Sequence, residues 1–246
     1  MVRSDDRSEQ PDGEKIAKYL ARCGVASRRK CEEYVKAGWV TVDSEIVLTP
    51  QTRIDSQISR VKVRGKFVSP PKILRYIIFN KPAGVLCTCN PGREKGEIIL
   101  DLVKVPERVF PVGRLDKDTS GLLLLTNDGE FAQKLTHPSY QKEKEYLVET
   151  DEAIEEAHLV KLRSGVQLDD GTSKFKEIEL RGSNEIKVIL TEGKKRQIRR
   201  TLQTINLNVS KLHRVSVSGL ILKNLKAGEW RDLTDDELKA LKEELS

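Results

Sequence analysis

Apolar residues recur along the chain with two periods, and each period marks a kind of element. Ile16, Tyr19, Leu20 and Cys23 fall at i, i+3, i+4 and i+7, one stripe of an amphipathic helix that Gly24 can end. Ser27 is placed to cap a second helix over Arg28–Ala37, closed by Gly38. Trp39, Val40, Val42, Ile46 and Val47 flank a polar Asp43-Ser44-Glu45 turn, and Val61, Val63, Phe67 and Val68 flank a bend at Gly65, so short strands are expected on both sides. Ser69-Pro70-Pro71-Lys72 cannot enter a ladder, because two prolines remove donors and hold the backbone extended.

Beyond Arg75 the texture changes. Tyr76-Ile77-Ile78-Phe79 and Leu122–Thr126 are continuous apolar runs, the pattern of strands buried on both faces. Glu145–Glu149 and the residues around Arg181-Gly182-Ser183-Asn184 predict further strands, the latter as a hairpin. Helices are predicted over 130–136, 151–163, 194–205 and 235–244, the last opening on a Thr234…Glu237 capping box. Strands and helices do not alternate strictly. The expected class is α+β: a mixed, mainly antiparallel sheet flanked by helices, preceded by a small module. The boundaries expected are a disordered tail over 1–13, a module over 14–69, a linker over 70–74 and a main domain over 75–246.

Composition changes this picture in one respect. The chain has 246 residues and a formal charge of +6, from 44 basic and 38 acidic side chains. That surplus is small for the length, but it is not spread evenly. Residues 14–71 hold 12 basic and 6 acidic side chains, so this segment alone carries an excess equal to that of the whole chain. No apolar stretch approaches the roughly 18 residues of a membrane span, and the polar, acid-containing start does not resemble a targeting peptide. A soluble cytoplasmic protein without a membrane partner is expected. Cys23, Cys31, Cys87 and Cys89 lack the spacing of a zinc site and no histidine is near them in sequence, so no metal is expected.

The predicted second helix opens on Arg28-Arg29-Lys30, three cations at an end where the macrodipole disfavours them. A phosphate backbone would compensate, since the free N–H groups and the cations act on it together; a solvated charge run explains the triplet equally well. The wider segment, from Lys15-Ile16-Ala17-Lys18-Tyr19-Leu20 through Gly24-Val25-Ala26-Ser27-Arg28-Arg29 to Val40-Thr41-Val42-Asp43, resembles the RNA-binding module first seen in small-subunit ribosomal protein four.

The main domain carries one polar, glycine-bounded loop running into a buried strand: Gly113-Arg114-Leu115-Asp116-Lys117-Asp118-Thr119-Ser120-Gly121, then Leu122–Leu125. Asp116, Asp118, Ser120 and Gly121 imitate the start of a calcium loop, but position 12 is Asn127, which cannot supply the bidentate carboxylate. Gly193-Lys194-Lys195 lacks the remaining residues of a P-loop. By composition alone a purely structural turn is the better reading of this loop. Its sequence through Thr126-Asn127-Asp128-Gly129 resembles the signature of the ribosomal RNA pseudouridine synthases of the RsuA and RluB/RluE/RluF type. Three further segments match in order: Asn80-Lys81-Pro82-Ala83-Gly84-Val85, Lys144-Glu145-Tyr146-Leu147-Val148, and Glu192-Gly193-Lys194-Lys195-Arg196-Gln197-Ile198-Arg199-Arg200.

The resemblance implies an isomerase that converts a uridine within ribosomal RNA to pseudouridine on a flipped-out base, with no cofactor because reactant and product are isomers. It implies Asp116 as nucleophile, Arg199 as its salt-bridge partner and Tyr146 as the ring on which the base stacks. Arg28, Arg29, Lys30, Lys81, Arg114, Lys194, Lys195, Arg196 and Arg200 are the expected RNA contacts, and a monomer is expected. The competing reading is a ribosome-assembly factor that binds ribosomal RNA on the same fold without catalysis. A glycosidic hydrolase lacks a second carboxylate of defined role beside Asp116. His137, His158 and His213 are given no catalytic part.

Overall fold

A computed structural model describes residues 13–89, 92 and 95–245. The expected tail, apart from Gly13, lies outside the described residues. The chain divides into two compact units, Met1–Leu74 and Arg75–Ser246.

In the first unit, helices Ile16–Arg22 and Arg28–Lys36 pack on a four-stranded antiparallel sheet made of Val40–Val42, Glu45–Ile46, Val61–Val63 and Lys66–Phe67. The first helix buries the stripe Ile16, Tyr19 and Leu20. Ser27 caps the second, its hydroxyl accepting the Lys30 N–H at 3.3 Å. Alternation in the strands sends Val40, Val61 and Val63 into the same core with Cys31, Val35 and Ile54.

The second unit is built on a nine-stranded mixed sheet. Its main path runs Glu177–Gly182, Glu185–Leu190, Lys144–Thr150, Val209–Val217, Ser120–Thr126, Tyr76–Lys81 and Trp230–Asp232, with Leu220–Ile221 and Phe110–Val112 paired beside it. The pairings are antiparallel except where Val209–Val217 lies parallel to Ser120–Thr126. The central run Leu122–Leu125 is apolar throughout because both faces are covered. Leu123 and Leu125 join Ile77, Phe79, Val148 and Leu202 on one side; Leu122 and Leu124 join Ile78, Phe131 and Leu241 on the other.

Several expected boundaries move. The helix expected from 151 begins at Glu156, since the backbone of 151–154 instead bonds Asn208 and Ser183. The helix expected from 194 begins at Gln197, because Arg196 adopts a left-handed conformation at φ 49° and interrupts the run. The short helix Ile99–Leu102 and the strand Phe110–Val112, which contains a proline, were not expected. The capping box of the last helix forms as read, with Thr234 accepting from Glu237 N–H at 3.2 Å and Glu237 accepting from Thr234 N–H at 3.0 Å.

Candidate active site

The polar loop is anchored from below before it presents anything above. Leu115 and Thr119 are buried, whereas Arg114, Lys117 and Asp118 face outward and Asp116 is half-buried. Beneath the loop the ammonium of Lys81, 0% exposed, faces the carbonyl oxygens of Pro82 at 3.0 Å, Asp116 at 3.2 Å, Lys117 at 3.3 Å and Thr119 at 2.8 Å. Lys81 extends from the end of its strand and ties the loop to the sheet. It therefore cannot make the RNA contact expected of it: its donors are spent on backbone oxygens and no surface is left to touch. Burial pulls its pKa down to about 8, with the charges of Cys87, Asp118 and Asp116 opposing that fall.

Where the loop enters the sheet, Gly121 sits at φ 109°. A β-carbon there would fall 2.2 Å from the carbonyl oxygen and 2.5 Å from the nitrogen of Arg214. Only glycine allows the parallel strand to approach this closely.

Helix Gln197–Thr204 supplies the facing cations. It buries Ile198 and Leu202 and turns Arg199 toward the loop. Arg199 donates from Nη1 to the Val209 carbonyl at 2.9 Å and from Nη2 to the Asp118 carbonyl at 3.0 Å. Its ion pair is with Asp118, Nε to Oδ2 at 3.3 Å, and not with Asp116 as expected. Arg196 grips the same carboxylate with a two-pronged contact, both prongs 3.0 Å. Burial pushes the Asp118 carboxyl up, but the hydrogen bond from Arg196 and the charges of Arg199 and Arg196 outweigh it and hold it below the usual range. Arg199 itself is lowered, by burial first and by Arg196, against the pull of Asp118 and Asp116.

Asp116 is thus the uncommitted carboxylate of the loop. No side-chain hydrogen bond or ion pair reaches it among the described residues, yet its charge acts on Lys81, Arg196 and Arg199 alike. Three cations thus feel the charge of Asp116 while none of them is bound to its carboxylate among the described residues.

Tyr146 is brought to the same face. It is buried in the strand Lys144–Thr150 and lies in a cross-sheet row that runs Val188, Tyr146, Arg214, Gly121, Lys81. Two strand spacings, roughly 10 Å, separate it from the point where the loop enters. Its ring belongs to the core that also holds Val148, Ile198 and Leu202.

The expected RNA contacts divide. Arg29, Arg114 and Lys195 are exposed and have no ion-pair partner among the described residues. Arg28 and Lys30 pair with Glu32 at 3.8 Å and Glu33 at 2.5 Å on their own helix. Arg200 holds Asp170 through both prongs, at 3.0 and 2.8 Å. Lys194 donates to the Thr172 carbonyl at 2.8 Å, and Arg196 is engaged with Asp118. Of the histidines, His213 shares a 2.9 Å hydrogen bond with Ser120 and burial lowers its pKa; His158 caps its own helix by accepting Glu155 N–H at 3.1 Å.

Two residues escaped the sequence reading. Asp118, met in the sequence only as part of an apparent calcium loop, is the acceptor that organises both arginines. Arg214 occupies an inward position of its strand beside the core residue Leu212. An arginine at the buried phase of an alternating Leu-His-Arg-Val-Ser-Val run was the available signal.

Comparison with known proteins places this arrangement. Residues 75–204 match the family model of RNA pseudouridylate synthases. An uncharacterised RNA pseudouridine synthase of Aquifex aeolicus is 38% identical over 232 residues, covering 92% of this chain and 93% of its own. The ribosomal large subunit pseudouridine synthase B of Bacillus subtilis is 36% identical, covering 93% and 96%; that of Haemophilus influenzae is 39% identical, covering 96% and 70%. The crystal structure of a pseudouridylate synthase superposes with a TM-score of 0.68 at 26% identity, covering 92% of this chain and 98% of that one.

Proposed function

From the premise that the chain belongs to the RNA pseudouridylate synthase family and is an RNA pseudouridine synthase, we propose that it isomerises a specific uridine of ribosomal RNA, with Asp116 as nucleophile. Asp116 carries the reading: it is the carboxylate that Lys81, Arg196 and Arg199 surround without occupying. In the reaction the N1–C1′ bond breaks, the base turns and a C5–C1′ bond forms. The proton displaced from C5 is lost and N1 ends protonated, so atoms and electrons balance without a co-reactant. Asp116 offers its electron pair to an electrophilic carbon of the uridine and recovers it when the base rejoins. Tyr146 stacks on the base once it has left its helix, a step that costs least where the RNA is unpaired. Arg199 and Arg196 keep the loop in place through Asp118 and add positive potential beside the nucleophile.

The unit Met1–Leu74 anchors the RNA, by its likeness to the ribosomal protein module and its concentration of charge. The enzyme acts as a monomer on this reading. Relatives named for the large ribosomal subunit support ribosomal RNA as the substrate class. The test is to map pseudouridines in ribosomal RNA exposed to the wild-type protein and to Asp116→Asn. One new pseudouridine with the wild type, a rate at least ~10³-fold lower with the variant, and equal RNA affinity are expected. RNA binding without any new pseudouridine from the wild type would instead favour the non-catalytic assembly factor.

A further inference from the structure

The first unit leaves one face of its sheet uncovered. Thr41 lies opposite both Ile46 and Lys62, and Lys62 lies opposite Phe67, so these four side chains share the face turned away from the core. Trp39 and Arg64 extend it by one row, with Arg64 N–H donating to the Trp39 carbonyl at 2.8 Å. Trp39, Ile46, Leu48 and Phe67 are 39, 66, 61 and 66% exposed. Cations already lie on the rings: the Arg64 guanidinium is 3.6 Å from the Trp39 ring centre, and the Lys62 ammonium is 4.6 Å from that of Phe67. Neither cation has a carboxylate partner among the described residues, and Trp39, Thr41, Ile46, Leu48, Lys62, Arg64 and Phe67 include no acid.

We propose that this face is a stacking platform for unpaired nucleotides of the RNA, two bases displacing Arg64 and Lys62 from the rings of Trp39 and Phe67 while these long, flexible cations swing to the adjoining phosphates. An exposed apolar patch marks a binding surface, and aromatic rings interleaved with cations fit a chain that offers flat bases and negative charge together. A second copy of this face would set cation against cation. The platform concerns binding alone and stands whether or not Asp116 is the nucleophile.

The test uses the full chain with Trp230→Phe, leaving Trp39 as its single tryptophan, titrated with oligouridylate while Trp39 emission is followed. Quenching is expected, and affinity, read for every variant by the anisotropy of dye-labelled oligouridylate, falls about tenfold or more in Phe67→Ala and Trp39→Ala and returns in Phe67→Tyr. Unchanged affinity in both alanine variants overturns the proposal. So does a change of oligomeric state in those variants without loss of oligouridylate binding, which would make the face a protein contact.

A separate observation concerns Arg214. It is 4% exposed and makes one hydrogen bond, Nε to the Leu122 carbonyl at 2.7 Å, with no carboxylate in ion-pair range among the described residues. Its charge acts on Lys81, Cys87 and Lys144, and it stands in register between Tyr146 and Gly121. Holding a guanidinium this deep without an anion is costly unless something else meets its donors. The geometry points to Arg214 as the donor that receives a carbonyl oxygen of the flipped uracil and stabilises negative charge on the base while it is detached. This rests on the isomerase reading above.

Arg214→Lys and Arg214→Gln are expected to lower kcat about 10²-fold while KM for the RNA and the urea midpoint stay near wild type. Variants that lose stability but keep wild-type kcat per folded molecule overturn this role alone. A wild-type protein that forms no pseudouridine overturns the underlying reading instead.

Discussion

At the scale of single residues, the site is governed by which carboxylate the arginines hold. Asp118 takes both Arg196 and Arg199 and leaves Asp116 unpaired. Asp118→Asn removes the carboxylate that Arg196 and Arg199 share. We expect kcat to fall about tenfold as the loop loses its clamp while KM for the RNA changes little; an unchanged kcat would show that this clamp does not position Asp116. Lys81 predicts an opposite pair of effects. Its folded pKa of about 8 lies below the ordinary lysine value of 10.5, so between those values the unfolded chain binds more protons than the folded one. Stability contributed by this group therefore rises as pH rises through that window. Activity moves the other way, because a neutral amine no longer holds four carbonyls or places positive charge near Asp116. A rate that falls above about pH 8 while the urea midpoint holds or increases is the expected signature. A parallel fall in both would assign the loss to general unfolding.

At the scale of elements, the seam between Ser120–Thr126 and Val209–Val217 decides whether the loop is held. Gly121→Ala puts a methyl 2.2 Å from the Arg214 carbonyl oxygen, and no flexible side chain is there to yield. A loss of about 2–4 kcal/mol in urea unfolding is expected. Gly84 is the control: it also has a positive φ, but its added methyl meets nothing, so about 1–2 kcal/mol of backbone strain is expected. Equal losses would show that conformation, not the close approach, sets the cost. The same seam shows what could be read from the chain. Leu122–Leu125 and Tyr76–Phe79 were legible as doubly buried strands because their apolar runs have no other stable use. Asp116, Tyr146 and Arg199 were legible as residues to watch only through their motifs. That Arg199 would choose Asp118, or that Lys81 would lie under the loop, depends on contacts between positions 35 to 81 residues apart. No local period encodes such contacts. The late start of the helix at Gln197 was hidden for a related reason: the left-handed Arg196 is stabilised by its grip on Asp118, against its own backbone preference.

At the scale of the whole molecule, a net charge of +6 looks slight for a protein that must hold RNA, and the ion pairs reduce the usable part further. Arg196, Arg200 and Lys30 each have an acid of their own at close range. Of the expected contacts, Arg29 on the first unit's second helix and Arg114 and Lys195 near the candidate site have no acid partner among the described residues, and Lys62 and Arg64 of the first unit add two more such cations. Affinity for RNA then depends on a few cations, and its salt dependence counts them. Each phosphate contact contributes about 0.7–0.9 to the slope of log K against log salt. Arg29→Gln is expected to flatten the slope by about one such unit and to weaken binding of all RNA sequences alike, without changing the rate at saturation. Lys30→Gln, whose cation is already paired with Glu33, is expected to change the slope by less than half as much. Slopes measured for the two variants between ~50 and 200 mM salt decide the matter. If Lys30 flattens the slope as much as Arg29, the ion pair opens on binding, and the free charge visible without RNA does not define the anchor.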